Sequence, residues 1–185
     1  NAYVQLDTNL CLTNFDDAVV EFDPENGTCE VRKRRRTDYV SKSVGFNASD
    51  WIEPDVLDST KQARVDRVNE ALERCFIDEE TRRYVLAFYA LSIFRFGEAM
   101  YSKTILMVCT LNDHGKSYIL KLLMAAGGDY VKQISREQLR RSASETSRAA
   151  LICSAKGVRI YCVDELPEGA LGVVTMKMFG AGTMQ

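Results

Sequence analysis

Two short clusters in this sequence combine residue types and spacing suited to phosphate chemistry. They are Gly115-Lys116-Ser117, at the end of the segment Leu111–Ser117, and Asp164-Glu165. A phosphate-binding loop needs a strand, a tight turn of exposed backbone N–H groups and a helix whose N-terminus faces the phosphates. In such a loop Gly115 lets the backbone approach the phosphate, because a Cβ there would intrude. Lys116 is expected on the β- and γ-phosphates, and the Ser117 hydroxyl in one Mg²⁺ coordination position. Asp164 is expected to hold the same ion through water, with Glu165 as the catalytic base that activates the attacking water. Asn112, Asp113 and His114 complete the expected nucleotide-binding loop, where His114 would donate to a phosphate or stay solvated. The full loop pattern has glycine at the position of Thr110, so the triplet alone is weak, as is an isolated Asp-Glu pair.

The flanking elements give both clusters their meaning. Thr104–Thr110 is a continuous apolar run bounded by polar residues, the pattern of a strand buried on both faces. A polar loop follows, then a helix over Tyr118–Ala126 that Gly127-Gly128 should stop. The β-branched and aromatic run Val158–Val163 leads directly into Asp164. Strand, loop, helix and strand in that order imply parallel pairing through a right-handed crossover.

Upstream, residues 1–57 hold short apolar runs (Ala18–Phe22, Tyr39–Val44) broken by turn residues, with Pro24-Glu25-Asn26-Gly27 a strong turn signal. This reads as a small β or irregular module. A helical segment, 58–98, comes next. Ser59-Thr60-Lys61-Gln62 fits a capping box, and Val65, Val68, Leu72, Cys75 and Phe76 recur on one helical face. A second helix should open at Asp78, with Glu79 and Glu80 favourable near its positive end. Its apolar content through Ile93 predicts burial on more than one side. Trp51, Tyr84, Phe88, Tyr89, Phe94 and Phe96 read as core. Residues 99–185 then form the P-loop unit. The fold class is α/β: an N-terminal β module, a helical segment, and a partial P-loop parallel sheet with flanking helices.

The 185 residues are 46% apolar and 27% charged, with a formal net charge of −2, enough apolar material for a core and too little charge for non-specific adhesion to nucleic acid or anionic lipid. The six cysteines show no Cys-x-x-Cys spacing, and with a single histidine they suggest reduced core thiols in an intracellular protein rather than a zinc site. No apolar run approaches the ~20 residues that span a bilayer, so no membrane is expected. Arg32-Lys33-Arg34-Arg35-Arg36 is the strongest charge run. It reads as a phosphate-contacting patch, with Arg34 and Arg35 as DNA contacts, as an import signal, or as a solvated strand edge. Arg136, Arg140, Arg141 and Arg148 make a second basic stretch. Starting at Asn1 without methionine and stopping at Met184-Gln185, the chain reads as an excerpt of something longer.

Asn112-x-x-Gly115-Lys116-Ser117 resembles the Asn-Gly-Lys-Ser loop of superfamily 3 helicases, with Asp113-His114 inserted where one residue or none is usual. Asn9-Leu-Cys-Leu-Thr-Asn-Phe-Asp-Asp and Asp38-Tyr-Val-Ser-Lys-Ser-Val-Gly-Phe are similar to segments of poxvirus-type primase–helicases. Asp78-Glu-Glu-Thr-Arg-Arg-Tyr-Val-Leu resembles the helix before their core. Gly128-Asp129-Tyr130, Gly157 through Glu165, and Met176-Lys-Met-Phe-Gly-Ala-Gly-Thr-Met also fall in that family's order, although the last lacks the family's Asp. The resemblance implies the first half of an AAA+-like core, in an ATP- and Mg²⁺-dependent DNA helicase that translocates on single-stranded DNA as a homo-hexameric ring. It also implies a fused or associated primase and, by resemblance alone, a DNA contact at Lys177. A viral protein of this kind would act in the host cytoplasm or nucleus. The family's sensor asparagine and arginine finger would lie beyond Gln185, so the chain alone should hydrolyse ATP poorly. Two other readings share the loop: a nucleotide or small-molecule kinase, and a degenerate P-loop domain serving as an assembly scaffold.

Overall fold

The computed structural model describes residues 6–50, 59–94, 115–140, 144–153 and 156–164. These form a mixed α/β structure with a three-stranded antiparallel sheet, a two-stranded parallel sheet and helices. Among them no helix is long and apolar enough to cross a membrane.

The antiparallel sheet consists of β1 (Leu12–Asn14), β2 (Val19–Asp23) and β3 (Thr28–Arg32) in that order. Asp23 sets the β2–β3 hairpin. Its carbonyl accepts from Gly27 N at 2.8 Å and its carboxylate from Glu25 N at 2.9 Å, placing the turn where the Pro24–Gly27 signal predicts it. Leu12, Val19, Val20 and Phe22 are buried, whereas β3 is an open edge whose Val31 stays exposed. Periodicity does not reveal β3, because its residues alternate across a strand with no apolar neighbour to cover. The run Tyr39–Val44 is irregular rather than a strand.

Helix α1 (Ser59–Cys75) buries the face the heptad-like spacing picks out, with Leu72 fully inside and Val65, Val68, Cys75 and Phe76 half-buried. The expected capping box does not form as drawn: Ser59 already lies in the helix and the Gln62 amide donates to Asp66, one turn on, at 2.8 Å. Helix α2 (Glu79–Phe94) begins as expected. Asp78 accepts from the Thr81 amide at 2.7 Å and from its hydroxyl, and these bonds hold its carboxyl below the usual carboxylate value. The prediction of burial on several sides of α2 is corrected, as is that of Tyr84 as core. Val85 and Ile93 are buried, but Tyr84 is 64% exposed and Leu86 38%. One apolar stripe suffices to seat a helix against a single neighbouring layer.

Helix α3 (Lys116–Gly127) stops at Gly128, which sits at φ 50° and whose amide bonds Met124 O. A Cβ at Gly128 would collide with the Ser43 and Val44 carbonyls, so glycine is required for backbone conformation and for close approach alike. The chain turns through Gly128–Tyr130 into β4 (Val131–Gln133), passes two short helices, α4 (Arg136–Leu139) and α5 (Glu145–Cys153), and returns as β5 (Ile160–Cys162). Strands β4 and β5 are parallel, with Val131 beside Ile160 and Gln133 beside Cys162. Parallel pairing is thus present, but β5's described partner is Val131–Gln133, which its short run of mixed polarity conceals. The expected strand Thr104–Thr110 lies outside the described residues.

One apolar cluster joins these parts: Phe15, Val20, Val44 and Ala48 of the N-terminal segment pack with Ile93 of α2 and with Tyr130, Val131 and Cys162. A smaller one seats α4 and α5, through Leu139 and Leu151, beside Ile134. Arg159 ties the larger cluster together. Its guanidinium lies 4.2 Å from the centre of the Tyr130 ring, donates to Thr13 Oγ1 at 2.8 Å, and donates to the Leu12 and Ile93 carbonyls. Tyr130 Oη in turn accepts from Asn14 N at 2.9 Å.

Not all cysteines are core thiols as composition suggests: Cys162 is buried, Cys11 and Cys75 are partly so, and Cys29 and Cys153 are exposed. Cys29 lies on the uncovered strand β3, which explains its exposure.

Candidate functional site

Helix α3 and strand β5 position the residues that the two sequence clusters single out. Because α3 turns back through a single short 3-10 turn into β4, its N-terminus lies toward the C-terminal end of the parallel pair. That end is where open parallel sheets collect ligands. Gly115 is the N-cap of α3, in the left-handed region at φ 74° and ψ 10°, and among the described residues no side-chain cap bond is made at this position. The first N–H groups of a helix lack intrahelical acceptors and the aligned peptide dipoles make this end electropositive, so the turn suits an anion. Glycine is required here for a second reason. A Cβ at Gly115 would stand 2.5 Å from Cys75 Sγ, at the C-terminal end of α1.

Lys116 is the first residue of α3 and half-buried, and Ser117 follows it, exposed. Two residues past β5, Asp164 lies within reach: Ser117 Oγ donates to Asp164 Oδ1 at 2.7 Å across 47 positions of sequence. The pairing of β5 with β4 aims Asp164, helped by bonds from Arg159 N to Tyr130 O at 2.8 Å and from Ile134 N to Cys162 O at 2.9 Å. Cys162 anchors the strand in the core, and burial pushes its thiol up to about 11.

The structure therefore brings Gly115, Lys116, Ser117 and Asp164 to one end of the sheet. Asn112, Asp113, His114, Glu165 and Lys177 lie outside the described residues. Hydroxyl and carboxylate oxygens are the donors that Mg²⁺ prefers, and this ion commonly takes one or two protein ligands and completes its shell with phosphate and water. Ser117 and Asp164 fit that role. Among the described residues no group of three or more His, Cys, Asp or Glu side chains gathers as a metal cage.

The reading of residues 32–36 as a phosphate-contacting patch needs correction at Arg32. Its side chain is 8% exposed and forms a two-pronged pair with Asp38, both N–O distances 2.9 Å, plus a 2.5 Å contact to Glu21. A guanidinium so engaged is a structural clamp, and charge counting cannot distinguish it from a free one. Arg34 donates to the Phe15 carbonyl at 3.2 Å, and the Arg35 amide to Asp38 at 2.7 Å, so both make contacts within the N-terminal segment while their side chains stay exposed. In the second basic stretch, Arg136 and Arg140 both pair with Glu137.

The Arg32 guanidinium holds the Asp38 carboxyl below its ordinary value of 3.8. A carboxyl depressed in the folded state stabilises the fold above its unfolded value, and that contribution is lost as pH falls through the folded one. The protein should thus lose stability below about pH 3.8, the ordinary value of this group. Asp38→Asn should be less stable at neutral pH by about 1.5–3 kcal/mol, the scale of a charged hydrogen bond, and should show a flatter acid limb. Urea titrations at pH 7 and pH 3 check both points, and equal acid sensitivity in the two proteins would refute the assignment.

Missed by sequence reasoning is the cleft beside Gly115, built by α1 and Tyr118. The spacing of Arg67, Glu70, Ala71 and Arg74 places them on one helical face, but no local signal says that this face borders the α3 N-terminus.

Comparison of the chain with family models, with curated proteins and with solved structures finds no match.

Proposed function

We propose that this chain binds a Mg²⁺–nucleoside triphosphate at Gly115–Ser117 and Asp164. It would act as the nucleotide-binding part of an ATP-dependent DNA helicase of the viral primase–helicase type. The observation that carries the nucleotide reading is the 2.7 Å contact between Ser117 Oγ and Asp164 Oδ1, which joins the phosphate-loop hydroxyl to the acidic strand end. A Gly-Lys-Ser triplet with no role in phosphate binding has no need of a carboxylate brought to it across 47 positions. Helicase action, ring assembly and single-stranded DNA as partner rest on the ordered resemblances along the chain. In this reading β4, β5 and α3 belong to a P-loop sheet that Thr104–Thr110 continues.

Within the site, the α3 amides and Lys116 hold phosphate oxygens, and Ser117 and Asp164 hold the metal, which neutralises phosphate charge when bound. Glu165 is assigned the role of base by the sequence pattern. The test is calorimetric titration of ATP with and without Mg²⁺. Binding should require Mg²⁺, and Asp164→Asn should weaken the Mg²⁺-dependent part about tenfold while leaving the fold intact, because the side chain is exposed. Absence of Mg²⁺–ATP binding by the full-length protein would overturn the reading in favour of a scaffold, as Thr110 in place of the first loop glycine would then explain.

A further inference from the structure

Beside the phosphate turn, between the C-terminal half of α1 and the start of α3, lies a cleft of about 350 Å³. Small-molecule sites run from about 300 to 1,000 Å³, so a single nucleoside is of suitable size. Its walls are mixed in chemistry. Tyr118, a residue 49% exposed, offers an aromatic ring one position after the Ser117 hydroxyl. Ala71 and Cys75 supply a small apolar floor, while Arg67, Glu70 and Arg74 supply donors and acceptors along one face of α1. Arg74 and Glu70 form a loose pair at 3.6 Å, open to solvent, and Arg67 makes no ion pair among the described residues. Gly115 belongs both to this cleft and to the α3 N-cap.

We infer that this cleft receives the base and ribose of the nucleotide whose phosphates lie on Gly115–Ser117, with the base stacked on Tyr118 and its polar edge or the ribose hydroxyls met by Arg67 and Glu70. The inference rests on the phosphate-site reading and extends it to the other half of the ligand. A molecule that touches both the α3 N-terminus and this cleft must carry anionic charge at one end and a flat, partly polar group at the other. The lining suits a base better than further phosphate. Its ring and small apolar residues make no favourable contact with an anion, whereas they match the flat face of a base. Stacking on an aromatic side chain is sequence-tolerant, so the cleft should hold the ligand by shape and ring contact more than by base identity.

The experiment compares Mg²⁺–ATP with Mg²⁺–inorganic triphosphate, which shares the phosphates and lacks the nucleoside. By calorimetry the full chain should bind ATP about tenfold or more tightly than triphosphate, the effect of one good stacking contact. Tyr118→Ala should lower the ATP affinity to that of triphosphate without changing the latter, and Arg67→Ala should move ATP in the same direction. Cys75 gives a readout that needs no variant: its alkylation by iodoacetamide, followed by peptide mass mapping, should slow with ATP and not with triphosphate. Equal affinity for both ligands in the unmodified protein, or equal weakening of both by Tyr118→Ala, overturns the cleft assignment while the phosphate site stands. Failure of both ligands to bind overturns the phosphate site and the cleft with it.

Discussion

On the proposed reading, Lys116→Ala should weaken Mg²⁺–ATP binding about ten- to hundred-fold and reduce any DNA-stimulated ATP turnover of the protein to background. The side chain starts at the first position of α3, next to a glycine N-cap that makes no side-chain cap bond among the described residues. A charged hydrogen bond to phosphate is worth about 1.5–3 kcal/mol, and each 1.4 kcal/mol is about tenfold in affinity, which sets the range. Turnover should suffer more than binding, because a contact that strengthens as charge moves onto the leaving oxygens lowers the barrier as well as the ground state. The fold should be unaffected. Alanine is the best helix former, and exposed or half-exposed helix positions away from caps and cores usually change stability by less than about 0.5 kcal/mol. Calorimetry for binding, and phosphate release with and without single-stranded DNA for turnover, decide the matter. Unchanged turnover in a variant of unchanged melting temperature would remove Lys116 from the site and with it the phosphate-loop reading.

Arg159→Ala should destabilise the protein by about 3–5 kcal/mol, a large part of the stability of a domain of this size. One guanidinium here serves Thr13 Oγ1, the carbonyls of Leu12 and Ile93, and the face of Tyr130. Its removal takes the guanidinium donor away from the Leu12 and Ile93 carbonyls, at about 1–3 kcal/mol for each one left unpaired, and removes a cation–π contact as well. Arg159→Lys should rescue little, since an ammonium presents a point charge where the geometry calls for a planar fork. The denaturant midpoint should fall in both variants with an unchanged slope, the mark of altered stability at constant exposed surface. A midpoint equal to that of the unmodified protein would show that water replaces the guanidinium at no cost. Because Arg159 immediately precedes β5 and Asp164 lies just beyond it, the same variants should also loosen the Ser117–Asp164 contact, visible as weaker Mg²⁺ dependence of ATP binding.

The sequence by itself determined the features whose cause is local. Helices α1 and α2 are legible because apolar residues three and four apart make a face wherever the helix packs, and because an Asp78 carboxylate caps only a helix on its C-terminal side. Gly127-Gly128 marks the end of α3, since few other residues tolerate the left-handed turn that Gly128 makes against Ser43 and Val44. The residue types at Gly115, Lys116, Ser117 and Asp164 suggest phosphate chemistry before any geometry is known, and the proposed site starts from that expectation. Only the tertiary structure decided which of these residues meet. The Ser117–Asp164 contact depends on β5 returning beside β4, and β4 is three residues of mixed polarity whose strand conformation comes from its neighbour. The same holds for Arg32, one arginine in a basic run until Asp38 and Glu21 close around it, and for Arg159, whose guanidinium donates to Ile93, Thr13 and Leu12 across 66, 146 and 147 positions. Periodicity and capping are encoded within one or two helical turns. A hydrogen bond or ion pair between distant segments is set by how the elements stack, and the loop that suggested the site acquired its carboxylate partner only through that stacking.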